Sequence, residues 1–172
     1  MSKKTIATQR LRLDAIREHD FEALGEIFTN DTVKQTYMLP DFESDAALLR
    51  LLERIRDLSL STDRYVYGIF LDGKLIGVIN DTDIDGKTIE MGYALHPDPY
   101  NKGYATEAFG AMIAHLFECG FDTVLAAAFE ENPASLRVMQ KCGMHLIEKT
   151  EDIEYRGRTH KCVYYSINEH CN

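Results

Sequence analysis

Several absences narrow this sequence before any motif is read. No stretch approaches the roughly 20 consecutive apolar residues that span a bilayer. Met1 to Arg10 is charged, and no apolar leader segment follows it. The expectation is a cytoplasmic protein without a membrane partner. The four cysteines, Cys119, Cys142, Cys162 and Cys171, include no CxxC pair, so free thiols are expected rather than a disulfide framework. His160, Cys162, His170 and Cys171 come nearest to a zinc set, but their spacings do not match common ligand pairs, and no metal is expected. Positive charge is scarce as well: 19 Lys and Arg stand against 28 Asp and Glu, a net charge of −9. That balance disfavours nucleic acid as a partner and suits a cationic one, such as an amine or a basic peptide. No repeat, low-complexity tract or flexible linker interrupts the 172 residues, so residues 1–172 are expected to form a single domain.

The hydrophobic periodicity supplies the elements. Ala7 to Ala15 alternates as a strand, and Phe21, Leu24, Ile27 and Phe28 mark one face of a helix over Asp20 to Phe28. Ser44 is an N-cap for a second helix with an apolar stripe from Leu48 to Leu58. Strands over Arg64 to Leu71, Lys74 to Asp81 and Thr88 to Leu95 are joined by turns at Asp72-Gly73 and Asp85-Gly86, which makes an antiparallel meander. A helix over Gly103 to Cys119, an apolar strand over Thr123 to Phe129 and a helix over Pro133 to Cys142 follow, the last opened by Asn132. Strands over Met144 to Glu154 and His160 to Asn168 close the chain around Arg156-Gly157-Arg158. The class is α+β, with a mixed and mostly antiparallel central sheet and about four helices.

Chemistry concentrates in Glu90 to Glu107, EMGYALHPDPYNKGYATE. A strand ends at Leu95, prolines stop it, and a helix opens at Gly103. The first N–H groups of a helix lack intrahelical acceptors, and its dipole is positive there. Small residues Gly103 and Ala105 admit an anion to the main chain, and Lys102 adds a charge. A Walker loop would need GK followed by Ser or Thr, and a dinucleotide loop would need GxGxxG within a βαβ unit. Neither is present, so the residues themselves point to a phosphate site of unstated kind.

The run Pro-x-Pro-Tyr-Asn-Lys-Gly-Tyr-Ala-Thr-Glu-Ala, with Asn-Pro-Ala-Ser-Leu-Arg-Val-Met-Gln-Lys-Cys-Gly-Met after it, resembles the GCN5-related N-acetyltransferases. The subgroup it looks most like is that of the ribosomal-protein-alanine N-acetyltransferases, and the element order matches from about Thr8 to Asn168. The resemblance implies acetyl-CoA as co-substrate and a sheet splayed at the cofactor site, between the strand ending at Leu95 and Thr123 to Phe129. Gly92 would carry the associated bulge. The resemblance also implies that Tyr100, Asn101, Lys102, Gly103, Tyr104, Ala105 and Thr106 hold the CoA phosphates, and that Ala94 and Leu95 flank the pantetheine arm. Asn132 would bond that arm, with Ser135, Arg137 and Lys141 on the helix beside it.

The same resemblance implies Glu90 as general base, often acting through water, an oxyanion held by a backbone N–H near Leu95, and direct transfer in a ternary complex. Tyr100 replaces the polar residue that usually opens the loop. Met139 stands where many members place the tyrosine that protonates the thiolate, so Ser135 takes that role here. The acceptor is an amine of unstated identity, shaped by the first helices and the last hairpin, which carry Tyr37, Met38, Tyr155, Arg156 and Arg158. A homodimer is compatible with such a fold. Two other readings stay open: a non-catalytic acyl-CoA sensor, and a partner-binding domain that has lost the cofactor.

Overall fold

Alternating and helical apolar patterns fold into the elements they encode, with two departures near the N-terminus. The structure, a computed structural model, describes residues 3–98 and 102–169. The expected first strand is broken into a hairpin, β1 (Ile6–Ala7) and β2 (Leu11–Asp14). The cause is local: the Thr8 hydroxyl accepts from Leu11 N at 2.9 Å, while Thr8 N donates to Leu11 O at 2.9 Å, which closes a turn inside the alternating run. After a single 3₁₀ turn at Glu18–Asp20 comes α1 (Phe21–Thr29). A short helix the periodicity does not announce, α2 (Asp31–Lys34), follows because the Asn30 side chain accepts from both Thr32 N and Val33 N. It brings the helix count among the described residues to five rather than four.

The rest agrees closely with the pattern. α3 (Asp45–Leu60) is capped by Ser44 through Ala47 N. β3 (Tyr67–Leu71), β4 (Lys74–Asp85) and β5 (Thr88–Leu95) form the meander, and β4 runs four residues past its expected end at Asp81. α4 (Tyr104–Glu118), β6 (Thr123–Phe129), α5 (Pro133–Lys141), β7 (His145–Tyr155) and β8 (Arg158–Asn168) complete the chain. The strands lie in one sheet of order β1-β2-β3-β4-β5-β6-β8-β7. The pairings of β1 through β4 and of β6, β7 and β8 are antiparallel, and β5 and β6 run parallel.

Two compact units divide the chain, with boundaries inside β4, β5 and α4. The first is Met1–Asn80 with Tyr93–Ala108. Its core gathers Leu24, Ile27 and Phe28 of α1, Leu52 of α3, and Phe70, Leu75, Val78 and Ala94 of the strands. Burying such side chains contributes about 1.5–3 kcal/mol each. Within this unit Gly77 lets β4 approach the end of β5 closely: a Cβ there would stand 2.6 Å from Ala94 O. The second unit is Asp81–Gly92 with Phe109–Asn172. Ile89 and Met91 of β5, Met112 and Leu116 of α4, Val124 and Ala126 of β6 and Met139 of α5 are buried there. Its parallel ladder runs from Thr88↔Thr123 to Met91↔Ala126 and stops one residue before Gly92.

Candidate active site

In the first unit the candidate phosphate loop enters α4 through Lys102 and Gly103, both exposed. Gly103 has φ of +80°, a left-handed conformation that an L side chain adopts only with strain. Its carbonyl accepts the helix's opening bond, from Glu107 N at 3.0 Å. The N–H groups of Gly103, Tyr104, Ala105 and Thr106 therefore lie in the turn whose donors point out of a helix's N-terminus. Tyr100 and Asn101 lie outside the described residues. Ala94 and Leu95 are buried at the end of β5, and His96 N donates to Ile76 O at 2.8 Å, which fixes the strand's exit.

The sequence reading missed what holds this loop. Arg10, in the turn between β1 and β2, donates from Nη1 to Lys102 O at 2.8 Å and from Nε to Glu107 Oε2 at 2.6 Å. Its guanidinium also lies over the Tyr104 ring, 4.5 Å from the centroid. The Thr8 hydroxyl and Arg10 N both donate to Glu107 Oε1, at 2.6 and 2.8 Å. Partial burial pushes the Glu107 carboxyl up, but those donors and the Arg10 charge outweigh it and hold the group below the usual carboxylate value. Lys102 and the Arg10 guanidinium put two cations beside the left-handed turn at Gly103 that opens the helix, a donor set whose chemistry fits a phosphate ester. Nothing local in the sequence signals this clamp, because Arg10 and Glu107 stand 97 positions apart.

In the second unit Glu90 is half-buried on β5, opposite Leu125. Gln140 of α5 donates to the Tyr165 hydroxyl at 3.3 Å, so odd positions of this part of β8 face α5. Even positions, among them Cys162 and Tyr164, point to the other face of the sheet, and the Glu90 charge is felt at both. Tyr164 donates to Glu151 Oε2 at 2.8 Å, and Lys149 Nζ lies 4.0 Å from its ring centroid. Burial first, then that bond and the Glu90 charge, keep the phenol protonated well above its ordinary value. Burial likewise pushes the Cys162 thiol up to about 11, helped by Glu90 and Glu151. This carboxylate-bearing face was not anticipated beyond Glu90.

Asn132 caps α5: its Oδ1 accepts from Ser135 N at 3.3 Å, and its Nδ2 donates to Ser135 Oγ at 3.1 Å. The two residues expected beside the pantetheine arm are thus brought together by the cap itself. Arg137 and Lys141 are exposed one turn apart on the same helix, and Met139 is packed into the core at 1 % exposure. Of the side chains expected to shape the acceptor side, Tyr37 turns inward and donates to Asn80 Oδ1 at 2.7 Å, whereas Met38 is exposed. Tyr155 is half-buried, and Arg156 and Arg158 are exposed at the hairpin tip. No cluster of potential metal ligands occurs among the described residues, where Cys119, Cys142 and Cys162 are free thiols. His170 and Cys171 lie outside those residues.

A family model described as "Acetyltransferase (GNAT) domain" matches residues 10–145. An uncharacterized N-acetyltransferase of Bacillus subtilis, YoaA, is 30 % identical over 143 residues, covering 80 % of this chain and 81 % of that protein. The crystal structure of a GNAT-family acetyltransferase from Bacillus anthracis superposes with a TM-score of 0.83 at 26 % identity, covering 96 % of this chain and 99 % of the other. RimL, a ribosomal L7/L12 α-N-protein acetyltransferase in complex with coenzyme A, shares the fold with a TM-score of 0.84 at 19 % identity, over 96 % of this chain and 98 % of its own. With a matching family model across most of its length and named N-acetyltransferases among its relatives, this chain belongs to the GNAT family of acetyltransferases.

Proposed function

We propose that residues 1–172 act as one cytoplasmic catalytic domain that moves an acetyl group from acetyl-CoA to a primary amine, directly and in a ternary complex. The observation that carries this reading is the loop Lys102–Gly103 at the start of α4, left-handed at Gly103 and clamped by Arg10 and Glu107. In this reading the N–H groups from Lys102 to Thr106 hold the pyrophosphate, joined by Tyr100 and Asn101. Ala94, Leu95 and Asn132 flank the pantetheine, and Arg137 and Lys141 lie beside the nucleotide. Acetyl-CoA supplies the activated thioester.

Glu90 takes the proton of the acceptor ammonium through water, so that the amine nitrogen forms the new C–N bond as the C–S bond breaks. Met139 has no proton to donate, so the departing thiolate takes its proton from Ser135, whose Oγ accepts from Asn132 and is oriented by it. Ser135 is reprotonated by the proton the amine nitrogen loses as the C–N bond forms. Net negative charge on the chain, and carboxylates at Glu90 and Glu151, favour an acceptor that arrives as a cation, either a protein N-terminus or a small amine. A homodimer is compatible with this scheme.

The test is release of CoA thiol from acetyl-CoA with a panel of peptides bearing free N-termini and of small polyamines. Turnover with at least one amine is expected. Glu90→Gln should lower kcat by about 10²-fold or more while the affinity for CoA stays unchanged. Burial of Met139 favours one competing account, a non-catalytic acyl-CoA sensor, which predicts tight CoA binding with no turnover on any amine.

A further inference from the structure

The exit of β6 is tied down by a buried histidine that the acetyl-transfer scheme does not use. The His160 ring on β8 is stacked on Phe129, with centroids 4.3 Å apart and planes 15° off parallel, and Tyr155 packs against it at 6.2 Å. Its Nδ1 meets Glu131 Oε1, and its Nε2 meets the Tyr155 carbonyl oxygen at 3.2 Å. Both ring nitrogens thus face groups of the protein itself, a carboxylate and a carbonyl, and neither points to a substrate. That arrangement excludes His160 as a base and makes it a tie. Glu131, held by His160 first and by its own backbone N–H second, has its carboxyl below the usual value. The neighbouring bonds run the same way: Glu130 N donates to Lys161 O at 2.8 Å, and Asn132 N donates to Phe129 O at 2.8 Å.

One bond along the chain from Glu131 lies Asn132, whose side chain is engaged with Ser135. The His160 tie therefore joins two things: the tip of the β7–β8 hairpin, through Tyr155 O, and the junction that presents Asn132 and Ser135. We infer that Glu131 and His160 are a positioning pair that sets the place of Asn132, and through it the alignment of the pantetheine arm. This inference rests on the proposed role of Asn132 toward acetyl-CoA. The exposed Lys161–Glu130 ion pair at 3.0 Å is a weak substitute, since exposed pairs contribute little.

The test uses two probes on the full chain, CoA and adenosine 3′,5′-bisphosphate, which keeps nucleotide phosphates but lacks pantetheine. A general loss of structure weakens both, whereas misplacement of Asn132 weakens CoA alone. Glu131→Ala, at a position whose side chain is about half exposed and so tolerant of truncation, is expected to weaken CoA by about tenfold, the usual effect of one lost charge-assisted bond. The bisphosphate affinity should stay within about twofold. His160→Leu should behave alike, and His160→Asn, whose amide nitrogen stands near the Nδ1 position, should recover most of the loss. Unchanged CoA affinity in Glu131→Ala, equal weakening of both probes, or no recovery in His160→Asn overturns the inference and leaves the acetyltransferase reading intact. Wild-type protein that binds neither probe overturns both.

Discussion

Truncating Arg10 to alanine removes the guanidinium that joins the β1–β2 turn to the phosphate loop, and its cost can be worked from the contacts. The ion pair with Glu107 involves side chains 41 % and 17 % exposed, so solvent screening limits it to about 0.5–1 kcal/mol. The bond to Lys102 O adds about 1 kcal/mol and the contact over Tyr104 about 0.5 kcal/mol. Glu107 is not orphaned, because Thr8 Oγ1 and the backbone N–H at position 10 still donate to it. The total is therefore about 2 kcal/mol, which for a chain of this size lowers Tm by about 4–8 °C. The loop must then order itself on binding, and CoA affinity should fall by about tenfold.

Thermal unfolding followed by calorimetric titration reads both effects, and Arg10→Lys should restore part of the stability but not the fork to Lys102 O and Glu107. The clamp has a definite pH sense. Because the folded state lowers the Glu107 value, its contribution is complete above the ordinary carboxylate value of 4.5 and is lost as pH falls through the lowered one. An Arg10→Ala protein with Tm within about 1 °C of wild type and unchanged CoA affinity would refute the reasoning.

Two further outcomes follow from local geometry. Gly77→Ala places a methyl 2.6 Å from Ala94 O and 2.9 Å from Leu95 Cγ, both belonging to a strand that cannot move aside cheaply, so a loss of about 1–3 kcal/mol is expected in denaturant unfolding; an unchanged midpoint would show that β4 and the end of β5 are not in such contact. Burial raises both the Cys142 and Cys162 thiols to about 11, while Cys119 is exposed. Mass spectrometry after brief alkylation at neutral pH should find Cys119 modified well before the other two, and equal rates would contradict the burial described.

The parts of this fold legible in the sequence are those fixed by neighbours along the chain. The Asp72-Gly73 turn takes φ of +49° and +82°, the pair of left-handed residues a tight hairpin requires. Ser44 and Asn132 cap the helices they precede, and the stripe from Leu48 to Leu58 is the inner side of α3. The start of α4 at Tyr104 and the apolar strand β6 fall where the pattern places them.

What the sequence conceals depends on partners far away or on one side chain overruling a period. Thr8 breaks an alternating run by bonding Leu11, and Asn30 creates a helix too short for any periodicity. Arg10 with Glu107, Tyr164 with Glu151 and His160 with Glu131 are charged or polar residues whose individual positions look like solvated surface. Strand register brings Tyr164 to Glu151, whereas the other two pairs form only when a turn meets a helix, as Arg10 meets Glu107, or a strand meets the segment after β6, as His160 meets Glu131. Met139 shows the reverse: its departure from the family's tyrosine is legible, its thioether has no proton to donate, and the structure adds that it packs into the core.

The central claim is that the Lys102–Thr106 loop takes the phosphates of acetyl-CoA. Calorimetric titration of the wild type and of Gly103→Asp with acetyl-CoA tests it most directly. The account predicts binding of one equivalent by the wild type and its loss in the variant, where a carboxylate enters the phosphate position on a backbone with φ of +80°. No binding by the folded wild type, or equal binding by Gly103→Asp, would contradict it.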